Sequence, residues 1–111
     1  MPVIIWHNPR CSKSRATLAL LESRGFAPEV VRYLDAPPGP AEIIAAAALL
    51  GMPLRDLARR GEAAWKGVEA ADDAALAAAM SAHPILIERP VVFANGRAAI
   101  GRPPEAVLAI L

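Results

Sequence analysis

The chemistry-bearing stretch of this 111-residue chain is Trp6-His7-Asn8-Pro9-Arg10-Cys11-Ser12-Lys13-Ser14-Arg15, which holds its only cysteine. A short apolar run (residues 3–6, Val-Ile-Ile-Trp) precedes the stretch, and a segment with Leu18, Leu20 and Leu21 on its apolar side follows it. The first reads as a buried strand and the second as an amphipathic helix. A thiol where strand gives way to helix faces the unpaired N–H groups of the first turn and the positive end of the helix dipole, and both favour thiolate. Arg10, Lys13 and Arg15 push the same way. A free cysteine titrates near ~8.5, and surroundings of this kind bring it below ~7.5. A lone cysteine is commonly just a small buried hydrophobe. Here the polar, turn-forming residues on both sides argue instead for a reactive thiol.

The rest of the composition narrows what that thiol serves. The length suits one domain. Twelve bases against eleven acids leave a net charge of +1, which is no nucleic-acid footprint. Ten of the bases are Arg and two, Lys13 and Lys66, are Lys, and Arg is the residue suited to forked contacts with oxyanions. One cysteine rules out an intramolecular disulfide and a cysteine-cluster metal site, so no metal and no bound cofactor is expected. Neither a signal peptide nor a stretch near the ~18 apolar residues of a membrane helix is visible, and a reducing cytoplasm is the expected setting.

The elements that must position Cys11 can be read in order. The helix should run from about residue 12 to 24 and close at Gly25 in a left-handed cap, before a second strand at 29–33. Strand, helix and strand imply a parallel pair. The breaker cluster Asp35-Ala36-Pro37-Pro38-Gly39-Pro40 opens an Ala-rich region, expected to hold helices at about 41–50, 54–60 and 72–81 and no strands. Strand signal returns after Pro84: residues 91–94 and 97–100 flank Asn95-Gly96, the strongest short hairpin signal. A terminal helix is expected from Pro104 to Leu111. The fold class is α/β, in the thioredoxin-like order β-α-β, helical insertion, β-β-α, with a mixed sheet. The expected organisation is one domain, core 1–34 and 84–111, with the insertion at 35–83.

The stretch from His7 to Arg15 resembles the active-site loop of the glutaredoxin-coupled arsenate reductases of the ArsC type, in their short branch. Those proteins carry arginines in a Leu/Val-Arg-x-Leu-x-Arg helix, in an Arg-Pro at a strand start and in an Arg-Pro after the hairpin. The contexts match Arg59, Arg89 and Arg102, with Arg60 the alternative to Arg59 if the helix is rotated by one residue. The resemblance also implies that Pro90 is the cis-proline that thioredoxin-like folds set opposite the reactive cysteine, where an isolated Pro at a strand start would ordinarily be trans. Trp6 departs from the Tyr more usual before His-Asn-Pro.

What the resemblance implies is arsenate reduction by nucleophilic catalysis, with Cys11 attacking arsenate held by Arg59, Arg89 and Arg102. His7 either helps deprotonate Cys11, holds the loop or is a structural residue, and a supporting role fits best. Ser14 stands where a thioredoxin has its resolving cysteine; its hydroxyl can donate to the thiolate or cap the helix, and it cannot form a disulfide. An external thiol must therefore finish the reaction, which in the resembling family is glutathione, with glutaredoxin as protein partner. Three other readings compete with this one. A glutathione-dependent thiol reductase acting on another acceptor keeps the same residues. A regulator like the Spx proteins, which contact RNA polymerase, would carry Cys-x-x-Cys where this chain has Cys11-Ser12-Lys13-Ser14. A phosphatase-like loop needs Cys-x5-Arg, and Thr17 stands in the Arg position.

Overall fold

The computed structural model describes residues 2–111. They form two compact units: one holds the chain up to Ala36 together with Arg89–Leu111, the other is Pro37–Glu88.

The first unit is built on four strands. β1 (Ile4–Trp6) lies parallel to β2 (Glu29–Val31) and antiparallel to β3 (Val91–Ala94), which pairs antiparallel with β4 (Arg97–Ile100). The order is β2-β1-β3-β4, so β1 and β3 are central. Because side chains alternate along a strand, Ile5 and its partner Val92 share one face while Trp6, Val91 and Phe93 share the other. Both faces of β1 are therefore apolar, as its unbroken hydrophobic run required. Ile5 and Val92 join Val3, Leu21, Ala94, Val107 and Ile110 in one core cluster. Trp6 and Phe93 meet on the opposite face, with ring centroids 4.9 Å apart.

α1 (Ser12–Ser23) packs its Leu21 into that core. It ends as expected in a left-handed Gly25, φ +87°. Gly25 donates to the carbonyl of Glu22 and Phe26 to that of Leu21, the paired bonds of a Schellman close. Asn95 and Gly96 have φ of 55° and 71°, the double left-handed turn that a two-residue hairpin demands. The mixed sheet and this connectivity give the thioredoxin-like α/β fold.

The second unit contains α2 (Pro40–Leu50) and α3 (Asp73–Ala82), both close to their expected bounds. Between them the expected helix at 54–60 is absent. Leu54–Leu57 is a single 3₁₀ segment, and Ala58 is extended and bridges antiparallel to Ile87. Arg59 N–H donates to Leu86 O at 2.7 Å and Glu88 N–H to Leu57 O at 2.8 Å. Leu54, Leu57, Ala58, Leu86 and Ile87 are all buried, so tertiary pairing overrides a sequence of good helix formers. This bridge is also a short piece of extended pairing in a region expected to have none. The terminal segment Pro104–Ile110 is likewise 3₁₀ rather than α. Its three-residue period sets Val107 and Ile110 on one side, where both are buried in the first unit's core. Among the described residues no helix is long and apolar enough to cross a membrane.

Candidate active site

Cys11 is the N-cap of α1, with extended backbone (φ −95°, ψ 122°). The loop before it is folded locally. Asn8 Oδ1 accepts from Arg10 N–H at 3.0 Å, an Asx turn, and Asn8 O accepts from Cys11 N–H at 3.0 Å. Arg15 reaches back to donate to Pro9 O at 2.9 Å. Cys11 O accepts from Arg15 N–H, the first turn of the helix. The N–H groups of Ser14 and Lys13 point at the sulfur.

Five influences compete on the thiol. Partial burial is the largest and pushes its pKa up; the N–H groups of Ser14 and Lys13 and then the charges of Arg89 and Arg102 push it down, and together they prevail. Cys11 thus ionises below its ordinary value. Arg102 Nη2 stands 3.7 Å from Sγ, and its Nε donates to Arg89 O at 2.8 Å. One guanidinium thereby addresses the sulfur and the backbone of the second arginine. The peptide bond between Arg89 and Pro90 is cis, as the resemblance implied. So is that between Arg102 and Pro103, which the sequence reading did not anticipate.

Of the two roles open to the Ser14 hydroxyl, donating to the thiolate and capping the helix, it takes neither. Fully buried, Ser14 Oγ lies 2.6 Å from His7 Nδ1 and accepts from Asn8 N–H at 2.9 Å. Ser14 serves the sulfur through its main chain, and its side chain ties the helix to the loop and to the end of β1. His7 is buried, and burial followed by the charges of Arg32 and Arg15 lowers its pKa, so it is a neutral partner in this tie. Of the readings open for His7, holding the loop is the one this geometry favours.

Two further residues hold the arrangement, and sequence reasoning missed both. Thr17 Oγ1 donates to Lys13 O at 2.8 Å, and Gly101 N–H donates to Pro90 O at 3.0 Å. A Cβ on Gly101 would fall 2.3 Å from Thr17 Oγ1 and 2.8 Å from Pro90 Cγ. Glycine is needed there because α1, the Pro90 ring and the end of β4 meet too closely for any side chain. The only sequence hint was a Gly directly before Arg102-Pro103.

Cys11, His7, Ser14, Arg89, Pro90 and Arg102 all belong to the sheet unit, and Arg59 belongs to the other. Arg59 sits just past the Ala58–Ile87 bridge rather than on a helix, and its Nη1 is 3.6 Å from Glu62 Oε1. It lines a pocket of about 370 Å³ with Arg60, Gly61, Glu62 and Glu88. Arg60 is held otherwise: it pairs with Asp56 at 2.7 Å, and its guanidinium lies 5.8 Å from the Trp65 ring centre, with Arg55 at 5.9 Å. Among the described residues no group of three His, Cys, Asp or Glu side chains could hold a metal ion.

The arrangement resembles known proteins along the whole chain. The sequence model of the ArsC family matches residues 6–110. The arsenate reductase of Neisseria meningitidis serogroup A is 50% identical, with both chains covered in full. The uncharacterized protein YfgD of Escherichia coli K12 is also 50% identical, over 98% of this chain and 96% of its own. Among solved structures, the arsenate reductase from Vibrio cholerae superposes with a TM-score of 0.95 at 50% identity, covering 100% of this chain and 98% of that one.

Proposed function

This chain belongs to the ArsC family, and from that premise we propose that it is an arsenate reductase working through Cys11. The observation that carries the reading is the thiol itself, at the head of α1 with two backbone N–H groups aimed at it and Arg102 3.7 Å away. A thiolate attacking an oxyanion brings two negative charges together, and the reaction needs fixed positive charge where they meet. Arg102 and Arg89 supply it from the sheet unit; Arg59 is proposed to add a third guanidinium.

In the proposed cycle the Cys11 sulfur bonds to arsenic and one arsenate oxygen leaves as water after protonation. The product is a cysteine thioarsenate, with arsenic still pentavalent. Glutathione thiolate then attacks the Cys11 sulfur. The sulfur–arsenic pair of electrons goes to arsenic, which leaves as trivalent arsenite, and the two sulfurs form a mixed disulfide. Two electrons are gained by arsenic and two are lost by the thiols. Glutaredoxin takes up the glutathione by thiol–disulfide exchange and returns Cys11 as thiolate. The chain has no second cysteine to do this itself, which is what supports glutathione and glutaredoxin as its partners and the reducing cytoplasm as its compartment.

The test is arsenate-dependent NADPH oxidation with glutathione, glutaredoxin and glutathione reductase. Turnover by the wild-type protein and loss to background in Cys11→Ser is the expected result. Wild-type protein that forms a glutathione adduct at Cys11 and yet turns over no arsenate would overturn the substrate assignment.

A further inference from the structure

The loop that carries Cys11 has a second concave side within the sheet unit. Residues 7–10, together with Arg32, Leu34 and Asp35 from the segment after β2, line a pocket of about 250 Å³. Apart from His7 and Asn8, which hold the loop, none of these side chains has a part in the arrangement above.

Its charges form a pattern. Arg32 Nε lies 4.0 Å from Asp35 Oδ2, and the two side chains are 60% and 76% exposed. A pair that long and that wet contributes little to stability. It leaves one cation and one anion side by side and open to a ligand. Arg10, exposed and directly before Cys11 in the chain, is a second cation lining the pocket. Pro9 and Leu34, the latter 37% exposed, give the pocket apolar surface. His7 is held neutral by its burial and by the charges of Arg32 and Arg15, so the positive charge rests on the arginines.

Two cations and one anion complement a ligand with two carboxylates and one ammonium. Glutathione carries that set. The pocket lies just under the ~300 Å³ lower bound for sites that enclose drug-sized ligands, which suits the amino-acid head of a tripeptide rather than the whole. We propose that this pocket docks glutathione: Arg32 takes the α-carboxylate of the γ-glutamyl head, Asp35 its ammonium, and Arg10 the glycyl carboxylate. The central cysteine of the tripeptide then follows the loop toward Cys11. The proposal rests on the reading that glutathione is the reductant.

The test uses Cys11→Ser, which cannot form the mixed disulfide, and S-methylglutathione as probe, followed by amide NMR and calorimetry. Binding should shift the amides of Asn8, Arg10, Arg32 and Asp35. Esterifying the γ-glutamyl α-carboxylate should weaken binding about tenfold, the scale of one charged hydrogen bond, and in a chain that also carries Arg32→Gln the ester should cost nothing further. Shifts confined to other residues, or equal affinity for acid and ester, would overturn the pocket while arsenate-dependent glutathione oxidation by the wild type still upheld glutathione as reductant. A wild-type protein that oxidises no glutathione and binds no probe would overturn both.

Discussion

The two units fix their arginines differently. Around Cys11 the fixing contacts span long stretches of sequence: Arg102 reaches Cys11 and the Arg89 carbonyl, Gly101 reaches Pro90, and α1 crosses the Gly101 backbone at Thr17. In residues 37–88 most side-chain contacts are local. Arg60 holds Asp56, Arg59 meets Glu62, and Asp72 caps Ala75 N–H at 2.9 Å. Longer reaches exist there too: Arg55 donates to the carbonyls of Glu69 and Ala71, Ser81 donates to Pro38 O at 2.8 Å, and the Ala58–Ile87 bridge holds the Arg59 backbone. Long-range contacts set where a charge stands relative to the thiol, whereas local ones set only the shape of their own turn. Substitutions near Cys11 should therefore alter chemistry, and those in the local contacts, Arg59 excepted, should alter little beyond stability.

The sharpest way to break this comparison is at Arg102. Arg102→Ala should lower kcat/KM for arsenate by about a hundredfold or more, the scale of one lost transition-state donor. It should also raise the Cys11 pKa, read from the pH dependence of alkylation. The sign follows from the lowered native pKa: wild-type reactivity holds down to that value and is lost as pH falls through it, and in the variant the loss begins at a higher pH. Folding stability has the same sense, since a thiolate favoured in the native state stabilises it above the unfolded thiol's pKa and ceases to do so below the folded one. An Arg102→Ala protein with wild-type kcat/KM would show that proximity to the sulfur does not matter.

Next comes the packing that sets Arg102. Gly101→Ala must displace either Thr17 or Pro90 and should destabilise by about 1–3 kcal/mol in denaturant titration. Adding Thr17→Ala removes the closest contact and should recover part of that loss. A similar cost, about 1–3 kcal/mol, is expected for Ser14→Ala, which leaves His7 Nδ1 and Asn8 N–H without their hydroxyl. Its thiol should still ionise below the ordinary value, because the Ser14 N–H remains. A Cys11 pKa restored to that of a free thiol would refute the main-chain role. The smallest effect belongs to the second unit: Asp72→Ala should cost about 1 kcal/mol as a lost cap and leave the alkylation profile unchanged.

What the sequence disclosed follows the same division. The Asn-Gly hairpin, the Gly25 cap and the strand-to-helix position of Cys11 were legible because each is dictated by residues adjacent in the chain. The segment 54–60 was not. Its Leu-Arg-Asp-Leu-Ala-Arg-Arg composition favours a helix, and only the bridge to Ile87, some thirty residues on, makes Ala58 extended. The Ser14 hydroxyl, open in the sequence to the thiolate or the helix cap, meets His7 and Asn8 instead, since sequence reports that a hydroxyl is present and not which way its helix turns it. The need for glycine at 101 was not legible either, because its constraint comes from Thr17, a residue of the first helix.

The two N–H donors aimed at Cys11 are main-chain groups, and every amino acid but one carries the same group. The donors themselves therefore need no particular side chain at positions 13 and 14, whatever else holds Ser14; only proline would delete one. The acidity of this thiol is to that extent inherited with the backbone rather than with particular residues. Arginine side chains are the adjustable part, and selection on the strength of the nucleophile has to act through them.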